Sequence, residues 1–487
     1  MNYLPYDCLY DILKLLQNDR SSLFNCSLVN RFWCESTVPL LYANPFDNLT
    51  NKKNYSIILT LVLCFNNEKI LILKNQLKFI NIKNIKIDDK YKSLFKYPKF
   101  LKNINYYKIT FIIIKWVESY LDLSYDYRKI HKDFIPTFYH FILHQCINIK
   151  QLSIPLYLFC NKKYNIQNFY NLTNLNSLSL DLQDINLSTT QKFLINIKNF
   201  CSNLNLLEIS TSYQQHNNFI NNIDDIKSIK ENLCTIIQNQ NNLKGFNISL
   251  CDYLLNNIFL SLEFQKYSLV YIEFERINFD DISFKNLINL YSLKYLKFDN
   301  CKGLTLKKCD MLLFASFNLK ELIFMHNVWN QCIIPSMIRY LGASLQRLLL
   351  FEYLKPSFIE SISKYCSNLI ILEIRIESQI DDLLAFKYLK IKILNINIYY
   401  YHDGMFITKL ANYLPINVKE ITIHFHHSCR HSLDLKKFLE NCHDQLELIN
   451  LDQFIEYEFL KIILNYIERS KNNSLKILGM KKLRIKV

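Results

Sequence analysis

A short pattern of apolar and polar positions returns along the chain from Ile149 onward. Its form is apolar-x-x-apolar-x-apolar, as in LKYLKF at 293–298, LKELIF at 319–324 and LIILEI at 369–374. Alternation with period two is typical of a strand that buries one face. Each occurrence therefore predicts one short strand, and the inward residues Leu296, Leu322, Leu348 and Leu372 are expected to stack in one buried column.

The pattern has thirteen starts, separated by 22 to 39 residues with a mean of about 27. This spacing lies within the range of roughly 20 to 29 residues for leucine-rich repeats. The starts are Ile149, Leu175, Leu204, Leu243, Leu269, Leu293, Leu319, Leu345, Leu369, Ile391, Val418, Leu446 and Leu475. The predicted fold class is therefore α/β, and residues 149–487 are predicted to form a solenoid with parallel strands on the concave face and helices on the convex face.

Residues 3–42 follow a different, helical pattern. Four apolar residues have the spacing of one stripe on a helix that begins near Asp7, namely Leu9, Ile12, Leu13 and Leu16. A second helix is predicted with Ser21 or Ser22 as its N-cap. Its apolar positions are Leu23, Cys26 and Val29. About 40 residues bury too little surface to fold well alone, so the remaining apolar area predicts a docking face.

This segment resembles the F-box family. The matching residues are Leu4-Pro5, Leu9, Ile12, Leu16, Leu23, Val29-Asn30-Arg31, Trp33 and Leu41-Tyr42, where the family often has Trp in place of Tyr42. By this resemblance, residues 1–45 form a three-helix F-box that docks on the adaptor subunit of an SCF-type (cullin-RING) ubiquitin ligase. The implied adaptor-binding residues are Leu4, Pro5, Leu9, Ile12, Leu16, Leu23, Val29 and Trp33. The alternative is a set of ordinary helices packed on the following domain.

Cysteines also recur at fixed places in the repeats. Amphipathic stretches ending in cysteine, Phe193–Cys201 and Phe358–Cys366, precede two predicted strands, and both continue as Cys-Ser-Asn-Leu. A second cysteine position lies three residues after a strand, at Cys251 and Cys301. These placements resemble the cysteine-containing leucine-rich repeats that often accompany an F-box. They predict small, buried core residues.

Residues 46–148 are predicted to be a mostly helical connector that caps the N-terminal end of the solenoid. Apolar runs at Ile57–Phe65 and Ile109–Val117 indicate helices. Leu77, Ile80 and Ile82 match the repeat pattern once, which leaves open that the connector contains degenerate first repeats.

Composition excludes several classes of protein. The five glycines never fall at the spacing of a phosphate loop, which excludes P-loop and dinucleotide fingerprints. The fifteen cysteines are an odd number without a CxxC pair, which favours reduced thiols in the cytosol or nucleus. The N-terminus lacks the organisation of a signal peptide and no apolar run is long enough for a membrane span, so we expect a cytoplasmic or nuclear protein.

The net charge of +15 raises nucleic acid as a partner. Lys, Asn, Ile, Tyr and Phe, whose codons are rich in A and T, are all used heavily, so a biased genome could supply the lysine excess. Basic residues are also spread along the chain. We therefore expect no nucleic-acid partner. A nucleic-acid binder that uses a basic convex face is a third functional hypothesis, weaker than a ligase substrate receptor or an interaction scaffold.

Candidate chemistry is sparse. Imidazoles and a thiolate at His424, His426, His427, Cys429 and His431 are ligands that zinc prefers, but no second ligand set has structural-zinc spacing, so a solvated loop is the favoured interpretation. His140 and His144 share a helix face without the glutamate of a zinc protease. Kinase, nucleophile-elbow and catalytic-cysteine signatures are absent. We expect neither an enzyme, nor a metal site, nor a cofactor.

Outward positions of the repeat strands predict the binding surface instead. Along the whole array they carry nine acidic and four basic residues, which predicts an acidic concave face that suits a basic or mixed protein surface. The predicted target-binding residues are Tyr271, Glu273, Glu275, Tyr295, Lys297, Arg347, Phe351, Glu373 and Arg375. The hypothesis is a substrate receptor of an SCF-type ubiquitin ligase, linked to cullin through the adaptor. The alternative is a leucine-rich-repeat interaction scaffold without ligase association.

Overall fold

The computed structural model describes residues 5–47, 55–79, 93–119, 128, 130–159, 172–183, 187–211, 223–352, 354–376, 383–398, 404–425, 432–443, 445–455, 457–469 and 477–483. The chain divides into two compact units, residues 1–243 and 244–487. The predicted domain boundaries after residues 45 and 148 both fall inside the first unit and stay predictions.

The first unit is mostly helical up to residue 145, and most of its strands follow later in the chain. Its helices are α1 (Tyr6–Leu15), α2 (Arg20–Ser27), α3 (Arg31–Leu41), α4 (Ile57–Val62), α5 (Asn67–Phe79), α6 (Tyr106–Glu118), α7 (Ile135–Gln145), α8 (Leu187–Phe200) and α9 (Ile223–Gln238). A π-helix spans Ile130–Phe134, and 3-10 helices span Tyr97–Phe100 and Leu156–Phe159. The helices predicted from the apolar runs at 57–65 and 109–117 are confirmed as α4 and α6.

Four parallel strands of the first unit pair in chain order. They are β1 (Asn103–Asn105), β2 (Gln151–Pro155), β3 (Ser177–Asp181) and β4 (Leu206–Ser210). The sequence did not predict β1, because three residues are too few to show a period of two. The repeat match at Leu77 is wrong, since this residue lies in α5, and its partners Ile80 and Ile82 fall outside the described residues.

Polar caps set the boundaries of the first helices. The side chain of Asp19, and not that of Ser21 or Ser22, caps α2: its carboxylate accepts from the Ser22 amide at 3.1 Å and from the Ser22 hydroxyl at 2.6 Å. The predicted serine cap is therefore wrong, and Ser22 is instead a donor. Asn30 caps α3 by accepting from the Trp33 amide at 2.9 Å.

The second unit repeats one strand and one helical segment. Its strands are β5 (Gly245–Ser249), β6 (Tyr271–Glu275), β7 (Tyr295–Asp299), β8 (Glu321–Met325), β9 (Arg347–Phe351), β10 (Ile371–Ile376), β11 (Ile393–Ile398), β12 (Glu420–Phe425), β13 (Leu448–Ile455) and β14 (Ile477–Leu483). Its α-helices are α10 (Asp252–Leu262), α11 (Leu306–Cys309), α12 (Ile333–Leu341), α13 (Pro356–Tyr365), α14 (Gly404–Tyr413), α15 (Ser432–Asn441) and α16 (Tyr457–Arg469). Its 3-10 helices are Glu263–Gln265, Phe284–Asn289, Asp310–Phe314, Gly342–Ser344 and Leu384–Tyr388.

The repeat prediction is confirmed strand by strand. Each strand from β2 to β14 begins two residues after a predicted start. Within the second unit, every strand pairs in parallel with the next one along the chain. The register places Leu296, Leu322, Leu348 and Leu372 side by side, and all four are fully buried, as predicted. The chain is thus an α/β protein built on parallel-strand repeats.

Cysteines placed by the repeat are buried, as predicted. Cys201, Cys251, Cys301 and Cys366 lie in the core. Burial raises the pKa of the Cys301 thiol to about 12, and the same cause raises the pKa of Cys366 to about 12. Every cysteine among the described residues is a thiol rather than half of a disulfide. These side chains stay neutral and act as small apolar residues.

Four successive repeats leave their strands through the same backbone turn. The residue directly after β5, β6, β7 and β8 has a φ between 52° and 57° in each case: Leu250, Arg276, Asn300 and His326. This left-handed region favours glycine, yet none of the four is glycine. The repeated hydrogen-bond ladder holds the turn, for example from the Arg276 amide to the Asp299 carbonyl at 2.8 Å.

Candidate partner-binding surfaces

The three N-terminal helices have a core of their own. Leu9, Leu13, Leu23 and Leu41 are buried together, and Leu16, Cys26, Phe32, Trp33, Leu40 and Tyr42 pack against them. Leu9 and Leu23, two of the predicted adaptor-binding residues, are both about 1% exposed and lie in this core rather than on the surface of the module. Their role in adaptor binding stays a prediction.

A set of large apolar side chains stays outside that core. They are Tyr6, Ile12, Leu15, Phe24, Leu28 and Val29, and we call them the apolar module surface. On α1, Cys8, Ile12 and Leu15 are spaced i, i+4 and i+7, so they form a second stripe next to the buried stripe. Leu15 is 85% exposed and Ile12 is 49% exposed. The apolar arc of α1 is therefore wider than the core that covers it.

The remaining predicted adaptor-binding residues are divided between surface and core. Pro5 is exposed as the N-cap of α1, and Ile12 and Val29 belong to the apolar module surface. Leu16 and Trp33 are partly buried against the core. Leu4 lies outside the described residues. The sequence analysis missed Leu15, Phe24 and Leu28, which lie outside the apolar stripes of the predicted helices. Their apolar character at positions outside the stripes could have revealed them.

The C-terminal end of the module is fixed to the helices that follow it. The Lys102 amide donates to the Ala43 carbonyl at 2.8 Å, and Lys108 forms an ion pair with Asp47 at 2.7 Å. The Tyr42 ring lies 4.1 Å from that of Tyr97, measured between ring centroids. These contacts make the module a fixed part of the first unit, so its exposed apolar residues are held in one arrangement.

The second candidate surface is the side of β6–β10 opposite the buried column, which we call the open face. The strand register arranges its side chains in three rows that cross the strands. The rows are Tyr271, Tyr295, Glu321 and Arg347; Glu273, Lys297, Ile323, Leu349 and Glu373; and Glu275, Asp299, Met325 and Phe351. Arg375 follows two residues after Glu373 on β10. All nine predicted target-binding residues therefore lie on this face.

Ion pairs neutralise much of the charge on the open face. Lys297 lies 3.7 Å from Glu273 and 3.3 Å from Asp299. Arg347 lies 3.3 Å from Glu321 and 3.8 Å from Glu373. The Lys297 bridges link β6 and β7, and the Arg347 bridges link β8, β9 and β10. The face is less acidic than a count of carboxylates suggests. Its most exposed paired carboxylate is Glu275, which lies 3.7 Å from Arg276 and has a side chain that is 48% exposed.

An apolar centre lies between the two groups of ion pairs. Ile323 and Leu349 point to the open face, yet they are only 7% and 8% exposed because neighbouring side chains cover them. Met325 and Phe351 extend the same centre by one row. The sequence analysis did not name Ile323, Met325 and Leu349, although they occupy outward positions of their strands.

Two tyrosines form the aromatic end of the open face. The rings of Tyr271 and Tyr295 meet edge to face, with 6.2 Å between centroids. Gly245 on β5 allows this arrangement, because a Cβ there would come within 1.9 Å of the Tyr271 ring. Burial raises the pKa of Tyr295, and the Glu273 carboxylate beside it adds to the shift. The Tyr295 hydroxyl therefore stays protonated and can donate.

The candidate metal ligands do not form a described site. Of the predicted cluster at 424–431, only His424 lies in a described part of the chain, on β12. The His140 and His144 rings are 4.5 Å apart on α7, and burial, with His144 and Lys69 nearby, lowers the pKa of His140 to about 4. Over the described residues, no three His, Cys, Asp or Glu side chains are grouped to hold a metal ion.

Comparisons with known proteins assign this chain to no family. No protein-family model matches it. No curated protein matches it either. Among solved structures, it is similar to a chain of the "Crystal structure of Rad7 and Elc1 complex in yeast", with 14% identity and a TM-score of 0.38 over 89% of this chain and 97% of that one. Values this low assign neither a family nor a function.

Membrane insertion through a helix finds no support in the described part of the chain. None of the helices there is both long enough and apolar enough to cross a bilayer.

Proposed function

We propose that this protein is a substrate-receptor subunit of an SCF-type ubiquitin ligase. The observation that carries the proposal is the apolar module surface, which lies beside a core that is already complete. Leu15 is 85% exposed and most of its side chain stays outside the core, and exposed apolar patches of this kind mark sites of protein association. Together with the resemblance of residues 1–45 to an F-box, this surface fits an adaptor subunit as its partner.

In this proposal the open face holds the target. Tyr295 and Phe351 supply aromatic anchors around the apolar centre, and anchors of this type contribute most of the binding energy of protein interfaces. The surrounding carboxylates select and steer the partner. No residue of this chain performs bond chemistry, because holding a target near a charged conjugating enzyme raises its effective concentration.

Capture of the adaptor tests the proposal. We expect the full-length protein to co-purify with a purified adaptor subunit, and the double variant Ile12→Asp/Leu15→Asp to lose at least 100-fold in affinity, since two buried, unpaired charges each cost about 2 kcal/mol or more. The matched control is Leu94→Asp/Ile147→Asp. It adds the same charge at positions of similar exposure, 81% and 54%, in the first unit.

The outcomes separate the two functional hypotheses. If the control variant captures the adaptor and the Ile12→Asp/Leu15→Asp variant does not, the receptor hypothesis is supported. A folded wild-type protein that captures no adaptor supports an interaction scaffold without ligase association. A folded Ile12/Leu15 variant that captures adaptor as well as the wild-type protein would move the docking site away from the apolar module surface.

A further inference from the structure

A cavity of about 800 Å³ lies within the first unit, apart from both surfaces described above. It is bounded by α6, by the π-helix and the start of α7, and by the carboxyl ends of β2 and β3. Its volume is within the range of roughly 300–1,000 Å³ that is typical of small-molecule sites. Its walls are mainly apolar and aromatic, with Tyr107, Phe111 and Ile114 on one turn after another of α6.

Among the described residues, one carboxylate lines this cavity. Asp181, the last residue of β3, is only 9% exposed, and Tyr107 reaches across it from α6. The Tyr107 hydroxyl donates to Asp181 Oδ2 at 2.5 Å, and the Gln183 amide donates to Oδ1 at 3.1 Å. Each carboxylate oxygen can accept more than one hydrogen bond, so these two bonds do not by themselves prevent Asp181 from accepting from a ligand as well.

Aromatic rings surround the same end of the cavity. The Tyr106 ring lies 5.4 Å from that of Tyr107 and 6.1 Å from that of Tyr157, and both pairs meet nearly at right angles. The hydroxyls of Tyr106 and Tyr157 are hydrogen-bonded to each other. Rings at right angles around one space present both edges and faces, and aromatic faces attract organic cations. A carboxylate beside such rings is the combination that recognises an ammonium group.

Basic groups also line the cavity. His131 and Lys132 come from the π-helix, and π-helical turns occur frequently at functional sites. Burial lowers the pKa of His131, so it is neutral at pH 7. Among the described lining residues, Lys132 alone has a positive charge at neutral pH, and it is exposed to solvent. The buried charge of the described lining is therefore the negative charge of Asp181.

We propose that this cavity binds a small organic ammonium ion with a flat apolar body. The ammonium group is held by Asp181 and the faces of the surrounding tyrosines, and the apolar body lies along Phe111 and Ile114. The site goes beyond the proposed ligase function and does not depend on it. A receptor that carries such a site could respond to a metabolite, and a scaffold could do so equally.

Calorimetry with three matched probes tests the proposal on the full-length protein. The probes are 1-naphthylmethylamine, 1-naphthalenemethanol and 1-naphthoic acid, which share one ring system and differ in charge. We expect the amine to bind at least 10-fold more tightly than the alcohol, and the acid to bind most weakly. Equal affinity for the three probes, or preference for the acid, would overturn the assignment of an ammonium ligand.

Variants locate the binding. Asp181→Asn is expected to remove the preference of the amine over the alcohol while weak binding of the alcohol persists. Phe111→Ala should weaken both probes by about 10-fold, and this residue is exposed enough to be replaced without unfolding. Tyr388→Ala, at an exposed tyrosine of the second unit, is the matched control and should change neither.

Asp181→Asn could unfold the first unit, so a second variant keeps the test decisive. Tyr107→Phe leaves the ring and removes only the hydroxyl that donates to Asp181. This change should preserve or strengthen binding of the amine, because it frees an acceptor position on the carboxylate. Weaker binding of the amine by a folded Tyr107→Phe protein, with no change for the alcohol, would place the ammonium away from Asp181 and overturn the proposal.

Discussion

The N-terminal helices and the strands of the second unit differ in how completely they bury their apolar side chains. In the helical module, a small core of four buried leucines is closed while Ile12, Leu15 and Phe24 remain outside it. In the strands, the inward column from Leu296 to Leu372 is fully buried, and even the apolar residues of the open face, Ile323 and Leu349, are covered by their neighbours.

This difference shows how each region can bind a partner. The module exposes apolar area such as that of Leu15, so under the proposed function association gains by apolar burial and needs little reorganisation. The open face is held together by ion pairs such as Arg347 with Glu321, which must be rearranged or matched by any partner. We expect broad apolar docking at the module and greater selectivity at the open face.

Two adjacent leucines of β9 give the largest expected effect. Leu348 points into the buried column and Leu349 points to the open face. Leu348→Ala should lower the free energy of unfolding by about 2–5 kcal/mol, because the rigid core cannot close around the missing side-chain atoms and a cavity remains. Leu349→Ala should cost about half as much, because solvent can fill the gap. Urea denaturation of both variants measures this, and equal losses would show that the two faces are equally buried.

The same comparison within α1 is expected to give a somewhat smaller difference. Leu13→Ala should lower the free energy of unfolding by about 2–3 kcal/mol, since a small core relaxes more readily around a gap. Leu15→Ala should change it by less than about 0.5 kcal/mol, because Leu15 is 85% exposed. Thermal unfolding followed by circular dichroism measures both. A large loss from Leu15→Ala would mean that this residue supports the fold and is not reserved for a partner.

At the open face, the aromatic residues are expected to control the release rate of a target and the acidic residues its capture rate. Once a target is known, Tyr295→Ala/Phe351→Ala should speed its release by about 10-fold or more at any salt concentration, because aromatic anchors determine residence time. Glu273→Lys/Glu275→Lys/Glu373→Lys should slow capture mainly at low salt. Stopped-flow kinetics at two salt concentrations measures both effects, with adaptor capture as the control. Unchanged kinetics in both variants would move the target site off the open face.

The buried thiols are expected to affect the pH dependence of stability only under alkaline conditions. Burial raises the pKa of Cys301 from 9.0 to about 12. A group whose folded pKa is raised contributes its stability in full below the unfolded pKa, and that contribution is lost as pH rises between about 9 and 12. Cys301→Ala should therefore flatten the fall of stability over this range. Denaturation of both proteins at pH 8 and pH 11 measures the change; identical slopes would show that Cys301 does not titrate differently on folding.

The sequence by itself determined the repeat. A period of two within each strand and a mean spacing of about 27 residues are local properties, so thirteen strand positions, the buried leucine column and the buried cysteines could all be predicted. Local spacing also gave the first helix and its stripe. The residue order that resembles an F-box is likewise readable without a structure, although the resemblance alone does not place any partner.

Only the tertiary structure decided which apolar residues remain accessible. Leu9 and Leu15 have the same chemistry on the same helix, and only the packing of α2 and α3 buries one and exposes the other. Strand register brought Lys297 next to Glu273, and α6 buried Asp181 by placing Tyr107 across it. These outcomes depend on contacts between residues far apart in the chain, which no local pattern encodes.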